Sequence, residues 1–235
     1  MKKTNVIRPT LLALAMACAF PAQAQKEKTE CKVSVAVLSL PASIQGKLHW
    51  RATADSASTP LQLSTRYFSK HLKLPGNTIA FYDVPVAATQ PDSPPPPVPL
   101  LSLTVPEGSK LTYIVLLATK DTNQKMRWRA KQFDSKDWPD DSMKLLNAST
   151  ETLGIMAGKK KVSLEDGKNM DFLARDWPNS FPIKIYRHET PANLVFSSTW
   201  RVSAGRRELC FLGNDNGNLT LRALMDLDQN PAIEN

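Results

Sequence analysis

Val105-Pro-Glu-Gly108-Ser-Lys110-Leu-Thr-Tyr-Ile114-Val115, with Leu100-Leu-Ser-Leu-Thr104 before it and Met126-Arg-Trp-Arg-Ala-Lys-Gln-Phe133 after it, is the stretch that decides the fold. Each flank alternates or runs apolar over four to eight residues, the period of a strand with one face buried. Pro106 fixes one turn angle and Gly108 supplies the positive φ that a tight reversal needs. The unit therefore reads strand, glycine turn, strand, polar loop, strand. Its spacing recurs as Val202-x-x-Gly205-x-Arg207 followed by Phe211-Leu212, and Arg129-Ala130 finds a counterpart in Arg222-Ala223. In both copies acids follow, Asp134 in the first and Asp226 or Asp228 in the second. A meander used twice suits a pseudo-symmetric pair of sheets or two small sandwich halves.

Outward from this stretch the same signals continue. Strand patterns cover residues 33–40, 46–52, 61–67, 78–84, 143–146, 152–156, 161–164, 183–187, 194–202, 208–212 and 219–227. Pro75-Gly76-Asn77, Asp166-Gly167 and Asn216-Gly217 punctuate them as turns, and no segment holds a 3.6-residue period for three turns without a breaker. The reading is a mainly β protein, an antiparallel β-sandwich whose two sheets each bury one face, with pseudo-repeated halves at about 31–135 and 136–228 as its finer form.

The first 24 residues read as a signal peptide. Lys2, Lys3 and Arg8 precede a short apolar core, and Ala22-Gln-Ala24 offers the small residues of a cleavage site before Gln25. The domain is then residues 25–235, the location periplasmic or secreted, and the charge falls from +8 to +5 because three basic residues leave. No apolar stretch reaches the ~18 to 20 residues of a membrane span. The basic runs Lys159-Lys160-Lys161 and Arg206-Arg207 sit beside turns and read as solvated ends, so nucleic acid is set aside as a partner.

Two cysteines remain after cleavage, Cys31 and Cys210. An even count in an oxidising compartment favours one disulfide, which would close a loop of about 180 residues and stabilise the chain by roughly 4 to 5 kcal/mol. The run of prolines between Pro91 and Pro99 must leave the sheet, and it reads as a stiff connector from an edge strand to the next sheet.

Several of these segments carry a resemblance. Leu61-Gln-Leu-Ser-Thr-Arg-Tyr-Phe-Ser69, the Val105-Pro-Glu-Gly108 turn, Lys144-Leu-Leu-Asn147-Ala-Ser, Gly158-Lys-Lys-Lys-Val-Ser-Leu164 with Glu165-Asp-Gly167, and Phe196-Ser-Ser-Thr-Trp200-Arg-Val with Arg206-Arg207 are similar to an uncharacterised family of secreted β-rich bacterial proteins of verrucomicrobial type. The resemblance implies a β-rich exported protein and carries no activity, cofactor or site to transfer.

Motifs of catalysis are absent from the sequence: His49, His71 and His188 stand far apart, and no nucleophile elbow, P-loop or dinucleotide fingerprint occurs. Asp134, Asp137, Asp140 and Asp141 could in principle hold calcium, but read better as loop acids. No cofactor and no metal are expected. Asp137-Trp138-Pro139 and Asp176-Trp177-Pro178 are the sharpest local features, each holding an indole between an acid that can cap a turn and a proline that fixes the exit. Such tryptophans either pin corners onto the core or, exposed, stack on sugars and anchor interfaces. Asp137, Trp138, Asp176 and Trp177 are accordingly the candidate binding residues, with the corner role favoured. The leading expectation is a non-catalytic exported β-sandwich that binds or scaffolds an envelope protein or polysaccharide; a carbohydrate-binding module or carbohydrate-active enzyme is the alternative.

Overall fold

In the computed structural model, residues 30–39, 48–90, 94–120, 125–188, 191–215 and 218–226 are described. The expected leader, the Asn216-Gly217 turn and Asp228 lie outside them. The chain is mainly β, with single 3-10 turns as the helical pieces among the described residues. Eight strands come first: β1 (Cys31–Val37), β2 (His49–Arg51), β3 (Thr59–Pro60), β4 (Leu72–Leu74), β5 (Thr78–Tyr82), β6 (Leu101–Thr104), β7 (Leu111–Lys120) and β8 (Met126–Asp134). Eight more follow: β9 (Ser142–Ala148), β10 (Leu153–Ala157), β11 (Lys160–Leu164), β12 (Asn169–Leu173), β13 (Phe181–Arg187), β14 (Leu194–Trp200), β15 (Arg207–Asp215) and β16 (Asn218–Met225).

These strands make four four-stranded sheets, ordered β4-β1-β7-β8, β3-β2-β5-β6, β12-β9-β15-β16 and β11-β10-β13-β14. Raising each strand number of the first two orders by eight gives the last two. Strand directions repeat as well: β1 with β7 and β9 with β15 run parallel, while the other pairings are antiparallel. The sequence repeat falls on equivalent turns, because Gly108 (φ 75°) joins β6 to β7 and Gly205 (φ 71°) joins β14 to β15. Val105 and Val202, ahead of those glycines, enter the core of their own sandwich. Beyond the turn the two copies fall one residue out of phase. Ile114 points into the first sandwich, whereas its sequence counterpart Phe211 points out of the second, and Cys210 and Leu212 face inward.

Three apolar layers hold the fold. Val33, Val35, Ile114 and Leu116 meet Ile79 and Phe81 inside the first sandwich. Leu145, Cys210 and Leu212 meet Ile155, Ile183 and Ile185 inside the second. The third layer lies between the halves, where Ala36, Leu38, Tyr113, Val115 and Phe133 pack with Leu146, Leu209, Phe211 and Leu224 around Trp138. The sheets of β1 and β9 thus bury both faces, a departure from the one-buried-face expectation. It explains why Val33-Ser-Val-Ala-Val37 is buried throughout rather than alternating.

The disulfide expectation is corrected here. Cys31 and Cys210 are both free and buried. Cys31 belongs to the core of the first sandwich and Cys210 to that of the second, so the interlayer of Tyr113, Trp138 and Phe211 stands between the two cores. An even cysteine count says nothing about which core each thiol enters. The native protein is expected to resist alkylation and to take up two labels per described chain on denaturation in urea; one bridge surviving denaturation would contradict this arrangement.

The proline run also sits differently from its reading. Residues 94–99 form an exposed connection from β5 to β6, two strands paired in the same sheet through Phe81 and Leu101. Three further strands, β3, β4 and β12, were not legible. The segment expected as a strand at 61–67 is instead irregular, touching β16 through a bridge between Tyr67 and Met225.

Candidate partner-binding surface

The four sequence-predicted binding residues do not come together. Trp138 follows a 3-10 turn at Ser135–Asp137 in the connection from β8 to β9. Its ring is fully buried, with Tyr113, Phe133 and Phe68 rings at 4.9, 5.6 and 6.0 Å. That leaves no face for a ligand. Trp177 follows the 3-10 turn Ala174–Asp176 between β12 and β13 and is half-buried, 4.4 Å from the Phe181 ring and 5.0 Å from that of Phe172. Lys160 Nζ lies 5.1 Å from its centroid, a cation–π contact on the half-buried ring. Asp137 and Asp176 are exposed. The acid that caps the first turn is Asp134, whose carboxylate accepts from the Lys136 N–H at 3.0 Å, and no side chain caps the second.

The loop acids near Trp138 tie the β8–β9 connection to the β14–β15 turn. Asp140 pairs with Arg207 at 3.1 Å, and the Asp141 carboxylate accepts from the Gly205 N–H. Arg207, read from sequence as a solvated turn end, has a side chain only 14% exposed. It donates to the Trp138 carbonyl and, at 3.1 Å, to the Tyr113 hydroxyl, which in turn donates to the buried Asp226 carboxylate. Arg129 and Arg222, the matched arginines of the repeat, reach across reciprocally. Arg129 of the first half pairs with Asp166 at 3.6 Å, and Arg222 of the second donates to the Leu38 carbonyl at 3.5 Å. The two sandwiches are joined by polar straps around an aromatic plug.

The outer face of the sheet β11-β10-β13-β14 carries the groove best suited to a partner. Alternation sends Leu153, Ile155 and Ala157 inward and Gly154 and Met156 outward. Gly154 stands in register between Ser163 of β11 and Tyr186 of β13. Having no side chain in a central strand, it leaves a dent that Tyr186 and Ser163 border. Met156 stands between Lys161 and Lys184 in the next row. The resulting groove, of about 280 Å³, is lined by Gly154, Ile155, Met156, Lys161, Val162, Ser163 and Tyr186. Its ionisable side chains are basic or phenolic, with no carboxylate among these lining residues. A glycine within the strand pattern was the available signal; the residues flanking it could be found only once the register was known.

No family model matches the sequence, and no curated protein matches it. A crystal structure of a candidate cell adhesion protein from Bacteroides uniformis ATCC 8492 aligns over 86% of this chain and 98% of its own, at 8% identity and a TM-score of 0.23. Likeness at that level carries no argument for fold or role.

Among the described residues no helix is long and apolar enough to cross a membrane.

Proposed function

We propose that the chain is an exported, non-catalytic β protein that binds a partner at the cell envelope through the outer face of the β11-β10-β13-β14 sheet. The observation that carries this is the Gly154 dent, bordered by Tyr186 and Ser163 with Lys161 in the next row, on a sheet whose inner face packs into the second core. Glycine inside a strand marks a place where another chain or ligand approaches closely. Tyrosine supplies contact area at low entropic cost, and the lysines favour an acidic or polyanionic partner. The leader read at residues 1–24 supports a periplasmic or secreted setting.

A second reading keeps the carbohydrate alternative but moves it. With Trp138 buried and Trp177 packed against Lys160, the ring within this groove for stacking on a sugar is Tyr186 beside its dent.

The test is capture from envelope extract by the wild type and by a Tyr186→Ala, Lys161→Glu double variant, alongside a glycan array. Expected is loss of capture with an unchanged thermal melt, since neither side chain belongs to a buried cluster. Undiminished capture by the double variant would overturn the assignment, and array binding abolished by Tyr186→Ala alone would select the sugar reading.

A further inference from the structure

We propose that the free edge of β14 is a docking edge for a second copy of this chain, joined antiparallel about Ser198 into one continuous sheet across the dimer. This surface is the strand's open edge and stands independently of the groove on the face of the same sheet.

An unpaired strand edge is a template for another chain, and proteins blunt such edges with charge, proline, bulges or brevity. The other edges here are blunted by brevity, proline or charge, whereas β14 has only a register shift at Val195 and is regular beyond it. β3 has two residues and ends in Pro60, β4 has three around Lys73, and β6 has four, closely followed by Pro106. β8 carries Arg127, Arg129 and Lys131, β11 carries Lys160 and Lys161, β12 carries Asp171, and β16 carries Arg222. β14, Leu194-Val-Phe-Ser-Ser-Thr-Trp200, has seven residues with no charge, glycine or proline. Among the described residues it pairs only with β13. Leu194 and Val195 are 48% and 37% exposed, among the most exposed large apolar side chains of the described residues.

The pattern of β14 is self-complementary. A register shift opposite Ile185 and Tyr186 takes Val195 out of the ladder and leaves Phe196 to Trp200 as a regular edge in which Phe196, Ser198 and Trp200 oppose Ile185, Ile183 and Phe181. Antiparallel pairing about Ser198 sets Phe196 against the other copy's Trp200 twice over, and Ser197 against Thr199. Phe196 and Trp200 are only partly buried against the second core, so a strand laid along this edge completes their burial. Aromatic cross-strand pairs favour sheet association, and like charges directly opposite oppose it. The net charge, +8 for the whole chain and +5 after the expected loss of the leader, makes charged faces repel a second copy, and this uncharged edge is where two copies can approach.

The experiment is sedimentation velocity of the full chain over a concentration series, for wild type, Ser198→Lys and Ser198→Cys. Expected are a wild-type dimer that dissociates on dilution, loss of the dimer in Ser198→Lys, where two lysines would face each other, and a disulfide-linked dimer of Ser198→Cys under oxidising conditions. Ser198 is exposed, and circular dichroism melts confirm that each variant is folded; if Ser198→Lys does not fold, the Cys cross-link decides alone. A wild type that stays monomeric at every concentration, or binds an added foreign strand peptide instead, overturns the proposal. So does a dimer that persists in folded Ser198→Lys.

Discussion

Trp138→Ala is expected to lower stability by about 3 to 5 kcal/mol in a urea melt, the range for emptying a large aromatic site. The ring is fully buried and touches Phe68, Tyr113 and Phe133, in a layer that joins these residues of the first half to Leu146, Leu209 and Phe211 of the second. Removing it opens a void in the only apolar layer shared by both sandwiches among the described residues, so the variant should also broaden the transition as the halves begin to unfold separately. Its indole N–H is buried without a hydrogen-bond partner among the described residues, so Trp138→Phe loses ring volume but no polar contact and should cost markedly less. Trp177→Ala should fall below Trp138→Ala, because that ring is only half-buried and its layer belongs to one half. A Trp138→Ala loss under about 1 kcal/mol would show that the Arg207 straps, not the aromatic plug, join the sandwiches.

What the sequence made legible follows from what strand periodicity can and cannot carry. The alternation around Val105 to Val115 identified a β meander, and the glycine spacing located two equivalent turns, because positive φ at Gly108 and Gly205 is a local demand. β4 and β12 were missed because three or five residues with a lysine or aspartate in the middle give too few repeats to register. The burial of both faces of the central sheets was missed because it depends on the second half covering the first. Cys31 and Cys210 look alike in sequence, and only the topology shows that they enter different cores. Arg207 illustrates the same limit: a basic pair after a glycine turn reads as solvated, while its partners, the Trp138 carbonyl, the Tyr113 hydroxyl and Asp140, come from distant segments. The groove depended on register in the same way, since Gly154 means nothing until Tyr186 and Ser163 are known to flank it.

Stability is expected to fall steeply as pH rises above 9. Burial in the second core pushes the Cys210 thiol up to about 12 from its ordinary 9.0, with the nearby Glu208 charge adding to it. Between those values the unfolded chain has released a proton that the folded chain retains, so the folded state binds more protons and raising the pH favours unfolding. Each pH unit in that window costs about 1.4 kcal/mol, on the order of 4 kcal/mol in all, and nothing further is lost above the folded value. Two other groups act in the same direction. Cys31 is raised by burial and the Asp134 charge, and Tyr113 is raised by burial and by its bond to Asp226, against the lowering effect of Arg207. Cys210→Ala isolates one of these contributions: its urea midpoint should lie below the wild type at pH 7 and fall less steeply from pH 9 onward, with Cys31 and, at higher pH, Tyr113 still contributing to the decline. Parallel pH profiles for the two proteins would mean that the Cys210 thiol ionises in the folded chain as readily as in water, and the second core would then have to admit solvent beside Met143 and Leu212.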